Sequence, residues 1–181
     1  HGLPGTGKTE TVFQFAKETN REIVKVDISQ SKSMWFGESE KKIKQIFTNY
    51  KSYAKNCELK PILLFNEADA IIGKRKELGT SSIDQTENTI QNILLEELEN
   101  FEGIFLATTN LIKNIDSAFD RRFLYKVEFH QPETSVKAKI WKSKLPTLTE
   151  NECNTLASSF NFSGAQIEKK KKKSEIYEII H

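Results

Sequence analysis

The sequence predicts an α/β fold in which strands and helices alternate, followed by a small all-helical part. Three observations carry that expectation. Residues 2–9 match the spacing G-x-x-x-x-G-K-[ST] and stand directly before a helical pattern. Short apolar, often β-branched runs then alternate with helix-period segments as far as residue 129. Beyond Pro132 no strand pattern recurs, which puts a boundary at residues 131–133 and divides the chain into 1–131 and 132–181.

The first helix covers residues 8–19, where Val12, Phe13 and Ala16 recur at helical spacing. Residues 22–28 read as a strand, since Ile23, Val24, Val26 and Ile28 are β-branched and the run is broken by Asp27 and Ser29. Ser39 caps a second helix to about residue 55, with Ile43, Ile46, Phe47, Tyr50 and Ala54 on its apolar face. Residues 62–65, Ile-Leu-Leu-Phe, form a short buried strand that ends in the polar run Asn66, Glu67, Ala68, Asp69. A basic loop over 74–82 leads to a helix from Ile83 to about Asn100. Strands follow at 104–108 and 127–129.

The helical part contains one helix with Val136, Ile140 and Trp141, a second capped by Thr149 and a third capped by Ser163. That third helix carries Lys169 to Lys173. Five successive residues turn through more than a full circle, so one of these lysines must face inward, snorkel or fray.

Length and apolar content suit one domain with a small appendage. No run approaches the roughly 20 apolar residues that span a bilayer, and no signal pattern opens the chain, so an intracellular, cytoplasmic protein is expected. Cys57 and Cys153 are far apart without ligand spacing, as reduced thiols would be. H-E-x-x-H, C-x-x-C and nucleophile-elbow patterns are all absent, which removes zinc and triad chemistry. The net charge is +2, but five positive charges sit in the lysine run and the remainder is mildly acidic. That balance, without aromatic-basic interleaving, does not describe a nucleic-acid binder.

The chemistry concentrates in two places. Across Gly2, Pro4, Gly5, Thr6 and Gly7, the glycines let the backbone N–H groups that follow Pro4, which has none itself, curl about phosphate oxygens. Lys8 adds positive charge, Thr9 a hydroxyl for Mg²⁺, and the helix its positive end. The carboxylates after residue 65 lie where an α/β sheet builds its site, at a strand's C-terminal end. Trp35 and Phe36, before Gly37, fit a hydrophobic staple against the next helix or a core contact.

These motifs in this order resemble the ATPase module of the AAA+ superfamily, in particular its AAA clade, from Gly2 to about Glu178. Residues 2–9 are similar to Walker A, 62–69 to Walker B, 108–110 to sensor 1, and 116–123 to the arginine-finger segment. The resemblance implies a P-loop NTPase three-layer αβα sandwich with a parallel sheet and a helical lid, holding ATP and Mg²⁺. It implies that Glu67 polarises the attacking water, that Asn110 orients it, and that Arg121 and Arg122 point into a neighbour's site. A homo-oligomeric ring, a hexamer, is expected, with Trp35, Phe36 and Gly37 as a pore loop gripping a protein client; residues 74–82 would form a second, basic loop.

Three departures qualify the resemblance. Asn66 stands where Walker B usually has Asp, which keeps an acceptor for a Mg²⁺-bound water and loses its charge. Gly164 and Ala165 open the sensor 2 helix without the arginine of other clades, so contact with the nucleotide there would be through backbone. The strand expected before Walker A is not in the sequence, as in a fragment of a longer protein. The expected function is ATP hydrolysis driving protein remodelling. The alternatives are a nucleotide-gated interaction module with little turnover and a nucleic-acid remodeller.

Overall fold

The computed structural model describes residues 1–28, 39–74, 82–111 and 115–180. Trp35, Phe36 and Gly37 lie outside these residues, as do residues 75–81 of the basic loop. By contact the chain forms two compact units. One holds His1 and Thr9–Val127; the other holds Gly2–Lys8 together with the chain from Glu128 onward.

The first unit is built on three parallel strands, β1 (Ile23–Asp27), β2 (Ile62–Asn66) and β3 (Ile104–Ala107), in the order β1-β2-β3. Strand β2 is central and buried at every position. Its alternation decides the layers, because successive side chains leave a strand on opposite faces. Leu63 and Phe65 join a cluster with Ile43, Phe47 and Tyr50 of α2 (Ser39–Ala54) and Ile90 and Leu94 of α4 (Ser82–Glu99). Ile62 and Leu64 pack on the other face against Val12 and Ala16 of α1 (Lys8–Glu18). Burying each such side chain contributes about 1.5–3 kcal/mol, so the all-apolar run at 62–65 is the centre of the three-layer arrangement.

Two short helices were not anticipated from periodicity. Helix α3 (Asp69–Ile72) follows β2, and α5 (Ser117–Arg122) is capped by Asp116, whose carboxylate accepts from the N–H of Ala118 at 2.9 Å. Both are too short to show a helical repeat. The strand expected at residues 127–129 is corrected to a single bridge. Phe129 pairs in parallel with Gly2 alone. The pairing there is one bridge long, and beside it His1 N donates to Val127 O at 2.8 Å.

In the second unit, α6 (Thr134–Lys144), α7 (Glu150–Ser159) and α8 (Gly164–Ile180) close around Ala138, Trp141, Cys153, Ala157 and Ile167. Helix α7 carries a complete capping box between Thr149 and Glu152. At the start of α8, Ser163 Oγ accepts from Gln166 N at 3.4 Å and Gln166 Oε1 accepts from Ser163 N at 2.8 Å. The lysine run lies within α8, and only Lys171 of the five is partly buried. Lys170 sits 5.7 Å over the Phe162 ring, which shields apolar surface with its stem. Both cysteines are free thiols.

Candidate nucleotide site

Residues 2–7 adopt the geometry a phosphate loop requires. Gly5 has φ +76° and Gly7 φ +96°, a region that side-chain-bearing residues rarely occupy. A Cβ on Gly5 would lie 2.6 Å from Ser163 Oγ and 3.0 Å from Ala165 Cβ. Over Gly7 a Cβ would meet nothing within 4 Å, so that side of the loop is an open cradle and its glycine answers to backbone conformation alone. The turn is pinned by Leu3 O, which accepts from Thr6 Oγ1 at 2.8 Å and from Lys8 Nζ at 2.8 Å; Gly2 O also accepts from Lys8 Nζ, at 2.8 Å. Gly164 and Ala165 meet this loop through Gly5 O, which accepts from Ala165 N at 3.4 Å. Pro4 sits in the same turn.

In the other unit, Asn66 ends β2 at 9% exposure and joins three elements. Its Oδ1 accepts from Thr9 Oγ1 of α1 at 2.8 Å and from Thr108 Oγ1 at 3.0 Å, and its Nδ2 donates to Asp27 Oδ1 at 2.9 Å. The next residue, Glu67, is exposed and has φ +54°. A non-glycine residue held there costs about 1–3 kcal/mol. Its N–H donates to Thr108 Oγ1 at 3.0 Å.

Asn110 is placed by Asp69. Asp69 Oδ1 accepts from Thr109 Oγ1 at 2.5 Å and from Asn110 N at 2.9 Å, while Oδ2 accepts from Asn110 Nδ2 at 3.3 Å. Since a carboxylate only accepts, it sets which way the Asn110 amide turns. Arg121 and Arg122 end α5 differently. Arg122 pairs with Glu99, whereas Arg121 makes a bond to Ser117 O at 3.2 Å and has no acidic partner among the described residues.

The resemblance to Walker B and sensor 1 points to Asn66, Glu67 and Asn110; it gives no role to Asp27, Asp69 or Thr108. Asp27 was visible as a polar residue closing a strand and Asp69 as the end of the Walker B run. Their contacts are long-range and leave no periodic trace. Among the described residues no cluster of three or more His, Cys, Asp or Glu exists that could hold a metal. Thr9 and Asn66 nonetheless offer oxygen donors suited to Mg²⁺, which keeps most of its ligands as water and phosphate rather than protein. The described residues contain no helix long and apolar enough to cross a membrane.

A phosphate loop opening a helix, a parallel sheet covered on both faces, and a polar cluster at the end of its central strand define a P-loop NTPase. A family model described as "ATPase family associated with various cellular activities (AAA)" matches residues 1–131, and the chain belongs to that family of ATPases. It is 30% identical over 178 residues to the cell division cycle protein 48 homolog of Archaeoglobus fulgidus, covering 92% of this chain and 23% of the relative. It is 29% identical over 177 residues to the proteasome-activating nucleotidase of Sulfurisphaera tokodaii, with 92% and 44% covered. Cell division protein C of Sulfolobus acidocaldarius is 30% identical over 136 residues, with 74% and 36% covered. The chain thus spans less than half the length of each of these relatives.

Proposed function

We propose that this module binds MgATP and hydrolyses it at the interfaces of a homo-oligomeric ring, a hexamer, to remodel or unfold a protein client. The observation that carries the reading is the cluster at the end of β2. Thr9 meets Asn66, Glu67 sits exposed on a left-handed backbone, and Asn110 is held by Asp69. In this reading the backbone N–H groups of Gly5 and Gly7 and the ammonium of Lys8 hold phosphate. The Lys8 ammonium exchanges neutral carbonyl partners for charged oxygens, which is a stronger bond. Thr9 and, through water, Asn66 would hold Mg²⁺, which supplies charge neutralisation to the transferring phosphoryl group.

Glu67 takes a proton from the attacking water, Asn110 orients that water, and an arginine from a neighbouring subunit neutralises the transition state. Gly164 and Ala165 link the helical part to the loop through Gly5. Trp35, Phe36 and Gly37 are assigned to a pore loop that contacts the client. The two free cysteines accord with a reducing, cytoplasmic setting.

The test uses the complete protein. Glu67→Gln should bind ATP and release no phosphate, and Arg121→Ala/Arg122→Ala should lose turnover while keeping nucleotide. Wild-type rates in both variants would overturn the mechanism. A second reading, a nucleotide-gated interaction module with little turnover, is favoured by one observation, the amide at position 66. Tight ATP binding without Glu67-dependent phosphate release would select it.

A further inference from the structure

The amide that replaces the usual carboxylate at position 66 has a carboxylate behind it. Strands β1 and β2 pair so that Asp27 is in register with Asn66, and neighbours in register on parallel strands put their side chains on the same face. Asn66 Nδ2 donates to Asp27 Oδ1 at 2.9 Å, and Asn66 Oδ1 accepts from Thr9 Oγ1 at 2.8 Å. Asp27 only accepts, so the nitrogen of the amide must face it and the oxygen must face Thr9. Without that partner either end of the amide could face the two threonine hydroxyls, which both donate and accept.

We propose that Asp27 and Asn66 form a divided acid. Asn66 supplies the acceptor oxygen toward the Mg²⁺ side of Thr9, and Asp27 supplies the negative charge and fixes the amide that relays it. Asp27 is a positioning residue, acting through Asn66, and the inference rests on the MgATP reading above. A charged acceptor polarises the amide it binds and strengthens the opposite oxygen as an acceptor in turn. The arrangement also has a brake. Asp27 Oδ2 lies 2.9 Å from Lys25 Nζ, and both side chains are about a third exposed, at 31% and 39%. Lys25 thus competes for the same charge.

Titration of Mg²⁺ at fixed fluorescent ADP analogue separates charge from shape. Asp27→Asn keeps an acceptor for Asn66 Nδ2 but removes the charge. It should raise the Mg²⁺ midpoint about tenfold, the lower end of what outer ligand partners are worth, and leave affinity in EDTA unchanged. Asp27→Asn/Asn66→Asp moves the charge back to position 66 and should restore the wild-type midpoint or better. Lys25→Met should lower the midpoint by releasing Asp27.

An Asp27→Asn midpoint within about twofold of wild type overturns the inference while leaving the MgATP reading intact, as does a double variant that binds Mg²⁺ more weakly still. If Asp27→Asn does not fold, an unchanged or higher midpoint in Lys25→Met overturns it instead. Wild-type protein that binds the ADP analogue without Mg²⁺ dependence overturns both.

Discussion

Asp69 holds Asn110 by both its backbone and its side chain, accepting from N at 2.9 Å and from Nδ2 at 3.3 Å. The same carboxylate takes the Thr109 hydroxyl, so three donors of one segment converge on one acidic side chain. Asp69→Asn would turn an N–H₂ toward those donors. Hydrogen bonds to a charged group are worth about 1.5–3 kcal/mol, and turnover should fall roughly 10- to 100-fold with nucleotide affinity little changed. Measured kcat and Kd decide this: an equal loss in both would place Asp69 in folding rather than in orienting Asn110.

The two arginines of α5 should not contribute alike. Arg122 is engaged by Glu99, and Arg121 is bonded only to its own helix among the described residues. In the ring proposed above, the arginine without an acidic partner among the described residues would be the one to reach a neighbour. Arg121→Ala is expected to lower turnover by about 10³ or more, the range of an arginine finger, and Arg122→Ala by less. Single-variant turnover in the assembled protein checks the order, and the reverse ranking would assign the finger to Arg122.

Glu67 is held at φ +54°, which glycine adopts without penalty. Glu67→Gly should therefore stabilise the domain by about 0.5–1 kcal/mol, less the entropy glycine adds to the unfolded chain, while abolishing hydrolysis. Urea denaturation alongside phosphate release tests the pair of outcomes. A destabilised Glu67→Gly would mean the carboxylate supports the fold as well as the chemistry.

Stability of the helical part should depend on acid through Glu152. Hydrogen bonds from the Thr149 backbone N–H and then its hydroxyl hold this carboxyl below its ordinary value of 4.5, against a smaller opposing effect of burial. A carboxyl depressed in the folded state stabilises the fold above its unfolded value and loses that contribution as pH falls through the folded one. Glu152→Gln should be less stable than wild type near neutral pH, with the gap closing below pH 4.5. Thermal melts across pH give the curve; a gap that persists in acid would show that packing, not charge, is lost.

Much of this was legible in local pattern. The glycines at 5 and 7, the apolar run at 62–65 and the caps at Thr149 and Ser163 each act within a few residues, and each was placed from spacing alone. Helices α3 and α5 were not, because four and six residues complete too few turns for a repeat to register. The strand at 127–129 was over-read for the opposite reason. Its residues suit a strand, but strands are made by pairing, which residue type alone does not report, and the pairing here is the single bridge of Phe129 to Gly2.

The functional cluster divides along the same line. That position 66 is an amide and position 67 a carboxylate is written in the chain, and so is the loss of a charge that the resemblance expects. Where a replacement charge stands is not. Asp27 and Asn66 are 39 residues apart, and their meeting depends on the register of β1 on β2. A shift of one residue would turn Asp27 to the opposite face, since side chains alternate along a strand. Register comes from how Leu63, Phe65, Ile62 and Leu64 fill the two layers, a collective result of packing that no short stretch of sequence contains.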